Sequence, residues 1–193
     1  MPVPSTERSH FIRAADIPNL ICVVRIILVW PIVVALLDGR YGLALVLILV
    51  AGASDGLDGF LAKHFNWQSR MGGLLDPLAD KLLLVSVFVA LSMTGLVPLW
   101  LTAVVISRDL IIVSGGVVYQ WLVEPVQPEP SVASKLNTGI QLLYALAVIS
   151  HRTSGIPAPE FLIIAGAAVF VTSTVSGLDY VVRWSGRAIR SRD

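Results

Sequence analysis

The sequence predicts an all-α integral membrane protein with six transmembrane helices. Hydrophobic residues make up 55% of the chain and charged residues only 14%, and the mean hydropathy is +0.79. These values lie outside the range of ordinary soluble domains. The 193 residues leave room for about six spans of roughly 20 residues with short connections. We therefore expect a single membrane domain over residues 1–193.

Six apolar segments are separated by breaks rich in Gly, Pro or charge. They lie at 18–37, 43–63, 73–94, 99–123, 136–150 and 160–182. The stretch EPVQPEPSVAS, with three prolines, predicts an irregular loop before the fifth segment. Residues 1–17 lack the long apolar core of a signal peptide and are expected to form either a short interfacial helix or a flexible segment.

Basic residues set the predicted orientation. An even number of spans places both termini on one side, and most Lys and Arg residues of the connecting segments fall on that side. They are Arg8, Arg13, Lys63, Arg70, Lys135, Arg183, Arg187, Arg190 and Arg192, against Arg40 and Arg152 on the other. The positive-inside rule then puts the termini and the 64–71 and 124–135 loops in the cytoplasm. We expect residues 184–193 to form a basic cytoplasmic tail.

Four aspartates interrupt the second and third segments. Asp55 and Asp58 are spaced i,i+3, and Asp76 and Asp80 are spaced i,i+4, so each pair shares one helix face. A carboxylate at the centre of a membrane helix costs about 2.5–3.5 kcal/mol. Because a short loop joins the two helices, we expect them to be antiparallel neighbours whose acidic faces meet. The sequence thus predicts a compensated, water-accessible acidic site.

Divalent cations are the expected compensation for these carboxylates. Mg²⁺ or Mn²⁺ prefers oxygen ligands, and the sequence has no His or Cys cluster that would favour zinc. Four acids suit two ions about 3.5–4 Å apart, an arrangement typical of phosphoryl chemistry. Gly56, Gly59, Gly72 and Gly73 flank the acids and allow close approach of a ligand. Small-residue packing between membrane helices is the alternative explanation for these glycines.

These residues carry a family resemblance. Their spacing resembles the signature D-x-x-D-G-x-x-A-R-x(8)-G-x-x-x-D-x-x-x-D of the CDP-alcohol phosphotransferases. The matching positions are Asp55, Asp58, Gly59, Ala62, Gly72, Asp76 and Asp80. Lys63 stands where the family has arginine. Lysine keeps the charge but loses the bidentate fork, so we expect a weaker or differently oriented diphosphate contact.

The resemblance implies a six-helix enzyme of a bacterial or mitochondrial inner membrane. It implies a homodimer that takes CDP-diacylglycerol as donor and has no nucleic-acid partner. It implies metal ligation by Asp55, Asp58, Asp76 and Asp80, with Asp80 also the general base. It further implies a CDP-lipid site, formed by Asn19, Asp58, Gly59, Ala62, Lys63, Ser69 and Gly72.

Other segments bear on the acceptor alcohol. The opening DIPNLICVVRIILV resembles both the bacterial phosphatidylglycerophosphate synthases and the eukaryotic-type cardiolipin synthases of this family. The segments ISRDLIIV and ASKLNTGIQLL resemble the cardiolipin enzymes more. Phosphatidylglycerol is therefore the first expected acceptor and glycerol 3-phosphate the second. Candidate acceptor contacts are Arg25, Arg108, Lys135 and Asn137.

Two further expectations concern ion pairs. Arg108 and Asp109 point about 100° apart on one helix, so we predict that they do not pair directly. Arg25 is expected either to pair with Asp179 or to face the active-site cavity.

Three other classes of protein fit the sequence less well. A cation transporter would also place acids in membrane helices, but it requires neither this Gly and Ala pattern nor acids at one end. A purely structural membrane protein would leave the acids uncompensated. A phospholipase-D-type synthase requires paired H-x-K-x(4)-D motifs, which the sequence lacks.

Overall fold

The computed structural model describes residues 17–65, 72–122 and 132–190, with side chains at 22–54, 79–115 and 134–182. This part of the chain contains six helices and no strand. They are α1 Ile17–Leu37, α2 Tyr41–Phe65, α3 Gly72–Met93, α4 Leu99–Leu122, α5 Val132–Ser154 and α6 Pro159–Arg190. Each predicted segment corresponds to one helix, which confirms the all-helical architecture. The predicted N-terminal interfacial helix lies outside the described residues, apart from the start of α1.

The ends of α5 and α6 extend beyond the predicted segments. Helix α5 begins four residues earlier and ends four residues later, and α6 continues to Arg190. These added turns contain residues such as Lys135, Arg152 and Arg187. Apolar patterning cannot detect such polar turns, so the predicted basic tail is largely the last part of a continuous helix.

Successive helices run up and down. We call the end where α2 finishes and α3 begins the acidic end. At the opposite end, Gly39, Gly95 and Gly155 adopt φ values of 73°, 73° and 77° in the three turns that close it. Glycine adopts this left-handed conformation without a Cβ clash. There the Arg152 guanidinium also lies 5.9 Å from the centre of the Tyr41 ring.

Helix α1 occupies the centre of one half of the bundle. It packs against both α2 and α3, while α5 and α4 pack against α6. Fully buried apolar side chains such as Ile32, Leu36 and Phe88 fill the core. Among the described residues, α2 and α3 do not pack against each other, and a cavity lies between them. Both helices pack against α1, and the expectation that their acidic faces meet stays a prediction, because the side chains of Asp55, Asp58 and Asp76 lie outside the described ones.

The outer surface of the bundle is apolar. Trp30 is 76% exposed and Ile163 is 73% exposed, and many Leu and Val side chains are exposed around the described helices. Within the described residues, the stretch Pro159–Val182 is long and apolar enough by itself to cross a bilayer. Cys22–Leu37 and Tyr41–Ser54 are the apolar parts of α1 and α2 whose side chains are described, and the two helices continue beyond them to Ile17 and Phe65. Helices α2 to α5 all carry charged residues that interrupt their apolar runs.

Candidate active site

The four aspartates lie inside two helices. Asp55 and Asp58 belong to α2, which ends at Phe65, and Asp76 and Asp80 belong to α3, which begins at Gly72. At a rise of 1.5 Å per residue, they are recessed about 6–15 Å from the nearer helix end. Side chains are described for Asp80 but not for the other three. The backbone thus places all four toward the acidic end of α2 and α3. We call the space between these two helices, next to Asp80, the cleft.

Asp80 forms an ion pair with α1. Arg25 Nη1 donates to Asp80 Oδ1 over 2.6 Å. The arginine side chain is only 1% exposed, whereas that of Asp80 is 44% exposed. Arg25 therefore holds the carboxylate from the protein side while the carboxylate remains open to the cleft. Of the two roles expected for Arg25, facing the cavity is correct, and its partner here is Asp80 rather than Asp179.

An apolar cavity of about 140 Å³ extends from this ion pair into the bundle. It lies between α2, α3 and α5, with Arg25 and Asp80 as its charged lining residues. Its other lining residues are Ile48, Ala51, Gly52, Leu83, Leu84, Val87, Thr138, Leu142 and Ala145. Ala51 and Gly52 help to keep it open because they bring little or no side-chain volume. One wall of the cleft is therefore polar at the Arg25–Asp80 ion pair and apolar from there into the bundle.

A buried ionic cluster joins α3, α4, α5 and α6. Lys81 Nζ and Arg108 Nη1 both donate to Asp109 Oδ1, over 2.8 and 2.6 Å. The prediction that Arg108 and Asp109 do not pair is wrong, because the long arginine side chain bends back around the helix. Arg108 Nη2 also donates to the hydroxyls of Ser134 and Ser176, each over 2.7 Å. Two cations and one carboxylate leave these ionic side chains with a net charge of +1.

Polar side chains also connect α5 and α6. Thr172 and Ser173 each donate to Asn137 Oδ1, over 2.8 and 3.0 Å, and Gln141 Nε2 donates to Ser173 over 3.0 Å. Asn137 is fully buried and turned toward α6. The next residue, Thr138, is the one that lines the cavity. Lys135 is exposed near the start of α5.

The remaining predicted site residues are located only by their backbone. Asn19 lies in the first turn of α1, Gly59, Ala62 and Lys63 lie in the last two turns of α2, and Gly72 begins α3. Ser69 lies outside the described residues. The structure thus brings the helix segments of the expected CDP-lipid site to one end of the bundle.

Sequence reasoning named Lys81 only as a cation available to the acceptor, and it missed the α6 residues of this region. Lys81 follows Asp80 directly but points to α4, and Ser176 is the α6 partner of Arg108. Gly177, next to Ser176, would place a Cβ 3.7 Å from Arg108 Cγ, so this glycine packs against the arginine stem. The small pair Ser176 and Gly177 is the signal that could have indicated a close contact here.

The chemistry of the donor set suits a divalent metal. Carboxylate oxygens are the ligands that Mg²⁺ and Mn²⁺ prefer, and the four aspartates lie by helix position toward the acidic end of α2 and α3. Asp80, the one with a described side chain, is open to the cleft and already faces a cation. The residues present therefore fit the ions that the resemblance implies.

Comparison with known proteins supports the same assignment. A sequence profile of the CDP-alcohol phosphatidyltransferase family matches residues 15–178. "Cardiolipin synthase (CMP-forming)" of Rattus norvegicus is 31% identical over 92% of this chain and 64% of its own length. "Probable phosphatidylglycerophosphate synthase" of Mycobacterium tuberculosis is 30% identical over 89% of this chain and 82% of its own length.

A third relative, "Probable cardiolipin synthase (CMP-forming)" of Drosophila melanogaster, is 35% identical over 65% of this chain. The alignments span 44% of the Drosophila protein and 64% of the rat protein, less than two thirds of either. The profile match includes every candidate site residue from Asn19 to Asn137. By its sequence, the chain belongs to the CDP-alcohol phosphatidyltransferase family.

Proposed function

We propose that the chain transfers the phosphatidyl group of CDP-diacylglycerol to a hydroxyl of phosphatidylglycerol, which yields cardiolipin and CMP. The observation that carries this proposal is Asp80, a carboxylate held by a buried arginine at the head of an apolar cavity. A reaction between two lipids requires a charged reaction centre beside a surface that accepts hydrocarbon. The rat and Drosophila relatives are named for this product.

In the proposed reaction, the acceptor oxygen attacks the phosphorus that carries the diacylglycerol. The bond from this phosphorus to the bridging oxygen breaks, and CMP leaves with that oxygen. Asp80 takes the proton of the attacking hydroxyl. Arg25 keeps the Asp80 carboxylate oriented toward the cleft from the protein side. Lys63 would bind the diphosphate, with Asn19, Asp58, Gly59, Ala62, Ser69 and Gly72 as the other walls of the donor site.

The family generally uses divalent metal ions. Asp55, Asp58, Asp76 and Asp80 would hold two ions of Mg²⁺ or Mn²⁺. When bound, such ions neutralise charge on the diphosphate and on the leaving CMP. Asp80, at the edge of this set, would serve both as ligand and as base.

Glycerol 3-phosphate is the second candidate acceptor. The cluster of Lys81, Arg108 and Asp109 carries a net charge of +1 close to Asp80, which suits an acceptor with a dianionic phosphate. The Mycobacterium relative is named for that product. Arg108 and Asn137 would then act mainly by positioning helices, since their described bonds go to protein groups. Lys135, exposed near the same end, would contact the acceptor directly.

We further propose that all six helices span the membrane, with the acidic end in the cytoplasm of an inner membrane, and that the chain forms a homodimer. The exposed apolar surface of the bundle supports a lipid environment. Its charged helices then depend on pairs such as Arg25 with Asp80 and Lys81 with Asp109 for burial. The family match favours the transferase over a cation transporter.

The test is a turnover assay on purified full chain in mixed micelles. It uses labelled CDP-diacylglycerol and Mn²⁺, with phosphatidylglycerol and glycerol 3-phosphate in separate tubes. Mass spectrometry identifies the lipid product. Cardiolipin formed only with phosphatidylglycerol is the expected result. Phosphatidylglycerophosphate instead would replace the first acceptor by the second. Absence of CMP release in both tubes, together with cation uptake by the chain reconstituted in sealed vesicles, would overturn the proposal in favour of a transporter.

A further inference from the structure

Helix α6 extends well past its apolar stretch. It runs from Pro159 to Arg190, 32 residues, whereas the apolar run of its sequence is interrupted at Arg183. At 1.5 Å per residue the helix is about 48 Å long, and the hydrocarbon core of a bilayer is about 30 Å thick. Its last eight residues therefore continue as about two helical turns at the acidic end.

Three arginines share one face of this extension. Arg183, Arg187 and Arg190 recur at intervals of four and three residues, which places them within a sector of about 60° on a helix that turns 100° per residue. Asp179 lies on the same face one turn before Arg183, and the sequence then contains no acidic residue until Asp193. The extension therefore carries a one-sided positive charge of +3.

The register of α6 shows which side this is. Arg183 lies seven residues after Ser176 and fourteen after Val169, and both of those are fully buried against the bundle. Ser176 accepts hydrogen bonds from Arg108. The exposed apolar residues Leu178 and Val182 lie on the other side of the helix. By register, the arginine positions thus continue the packed face of α6 toward the acidic end, alongside the last turns of α4, which runs parallel to α6 from Arg108 to Leu122.

We propose that this arginine face binds the phosphodiester of an anionic phospholipid and holds it at the acidic end. Guanidinium groups bind phosphate oxygens through paired N–H donors. Three of them on one face carry more positive charge than the single phosphate of a zwitterionic headgroup can balance. Each basic residue near an anionic membrane surface strengthens attraction to that surface by about fivefold. The inference rests on the membrane placement of the proposed function but needs no turnover.

Trp184 lies between the first two arginines in sequence and provides a reporter. We would replace Trp30, Trp67, Trp100 and Trp121 by Phe in the full chain and reconstitute it in nanodiscs that contain brominated phosphatidylglycerol or brominated phosphatidylcholine. Trp184 fluorescence should be quenched at least threefold more efficiently by the anionic lipid. The R183Q/R187Q/R190Q variant should lose this preference, and the R183K/R187K/R190K variant should keep most of it.

Arg40→Gln is the matched control, because Arg40 is an exposed arginine at the opposite end of the bundle. It should leave the preference unchanged. Equal quenching by the two lipids, or a preference that survives the triple Gln substitution, would overturn the inference. If the four-Phe chain does not fold, native mass spectrometry of lipids bound to the otherwise unchanged chain makes the same comparison. A chain that prefers the anionic lipid but releases no CMP would overturn only the proposed function.

Discussion

Arg25 and Asp80 form an ion pair that compensates two charged side chains beside an apolar cavity. The arginine is buried and the carboxylate is half-exposed, so the pair keeps its arginine end in the protein and its carboxylate end in the cleft. Removing either partner alone would leave the other charge without this contact. The two residues therefore make distinct predictions, one for the chemistry and one for its positioning.

Asp80→Asn should lower turnover by about 10²–10⁴-fold, because an amide cannot take the proton of the acceptor hydroxyl. The amide oxygen can still accept from Arg25, so the fold should persist. CMP release and the melting temperature in detergent measure the two effects. Asp38→Asn is the control, since Asp38 pairs with Arg40 at the opposite end of the bundle. Full activity of Asp80→Asn would remove the general-base role.

Arg25→Gln should lower kcat by at least tenfold with a smaller change in KM, because the carboxylate loses the cation that orients it. A hydrogen bond to a charged group contributes about 1.5–3 kcal/mol, and the exposure of Asp80 places this one at the lower end. Arg25→Lys should recover part of kcat. If both variants melt earlier but turn over normally, Arg25 has only a packing role.

Arg108 shows where reasoning from residue spacing failed. The 100° between Arg108 and Asp109 describes their Cβ directions, whereas the guanidinium lies several bonds further out and reaches the neighbouring carboxylate. Lys81 meets the same carboxylate from α3. By contrast, the i,i+3 and i,i+4 spacing of the four aspartates could be read directly, since it depends only on helix geometry. Cβ directions on a helix therefore predict the contacts of short side chains better than those of long ones.

At the scale of elements, α6 is attached to the bundle by hydroxyls. Ser176→Ala should destabilise the protein by about 1 kcal/mol, because Arg108 loses a buried acceptor. For a chain of this size that corresponds to a fall in melting temperature of about 2–4 °C. Thr174→Ala is the control, since its exposed hydroxyl bonds only to the Phe170 carbonyl of its own helix. Equal shifts in the two variants would contradict this attachment.

The cavity between α2, α3 and α5 gives the second prediction at this scale. A Cβ at Gly52 would meet no atom within 4 Å, so Gly52→Leu should fold and place its side chain at the cavity. We expect a rise of at least fivefold in KM for the lipid substrates, since the apolar space is filled. Gly139→Leu is the control, because Gly139 is equally open but does not line the cavity. Unchanged KM for Gly52→Leu would show that substrate hydrocarbon does not use this space.

For the whole molecule, the prediction concerns metal. EDTA should abolish CMP release, and Mn²⁺ should restore it. Titration followed by electron paramagnetic resonance should show about two Mn²⁺ ions bound per chain, the number that four carboxylates suggest. Asp76→Ala should reduce that number, whereas Asp38→Asn should not. Binding of a single ion would contradict the two-ion arrangement, and binding unaffected by Asp76→Ala would place the metal elsewhere.

The sequence by itself determined the helical class, the six segments and the positions of the four aspartates, because apolar runs and helix periodicity are local properties. It also carried the motif of the family. Only the tertiary structure decided that α1 packs against both α2 and α3, that Arg25 pairs with Asp80, and that Lys81 and Arg108 share Asp109. Those contacts join residues from different helices or depend on side-chain conformation. These contacts are set by the packing of the helices, which cannot be predicted from the local sequence pattern of one chain.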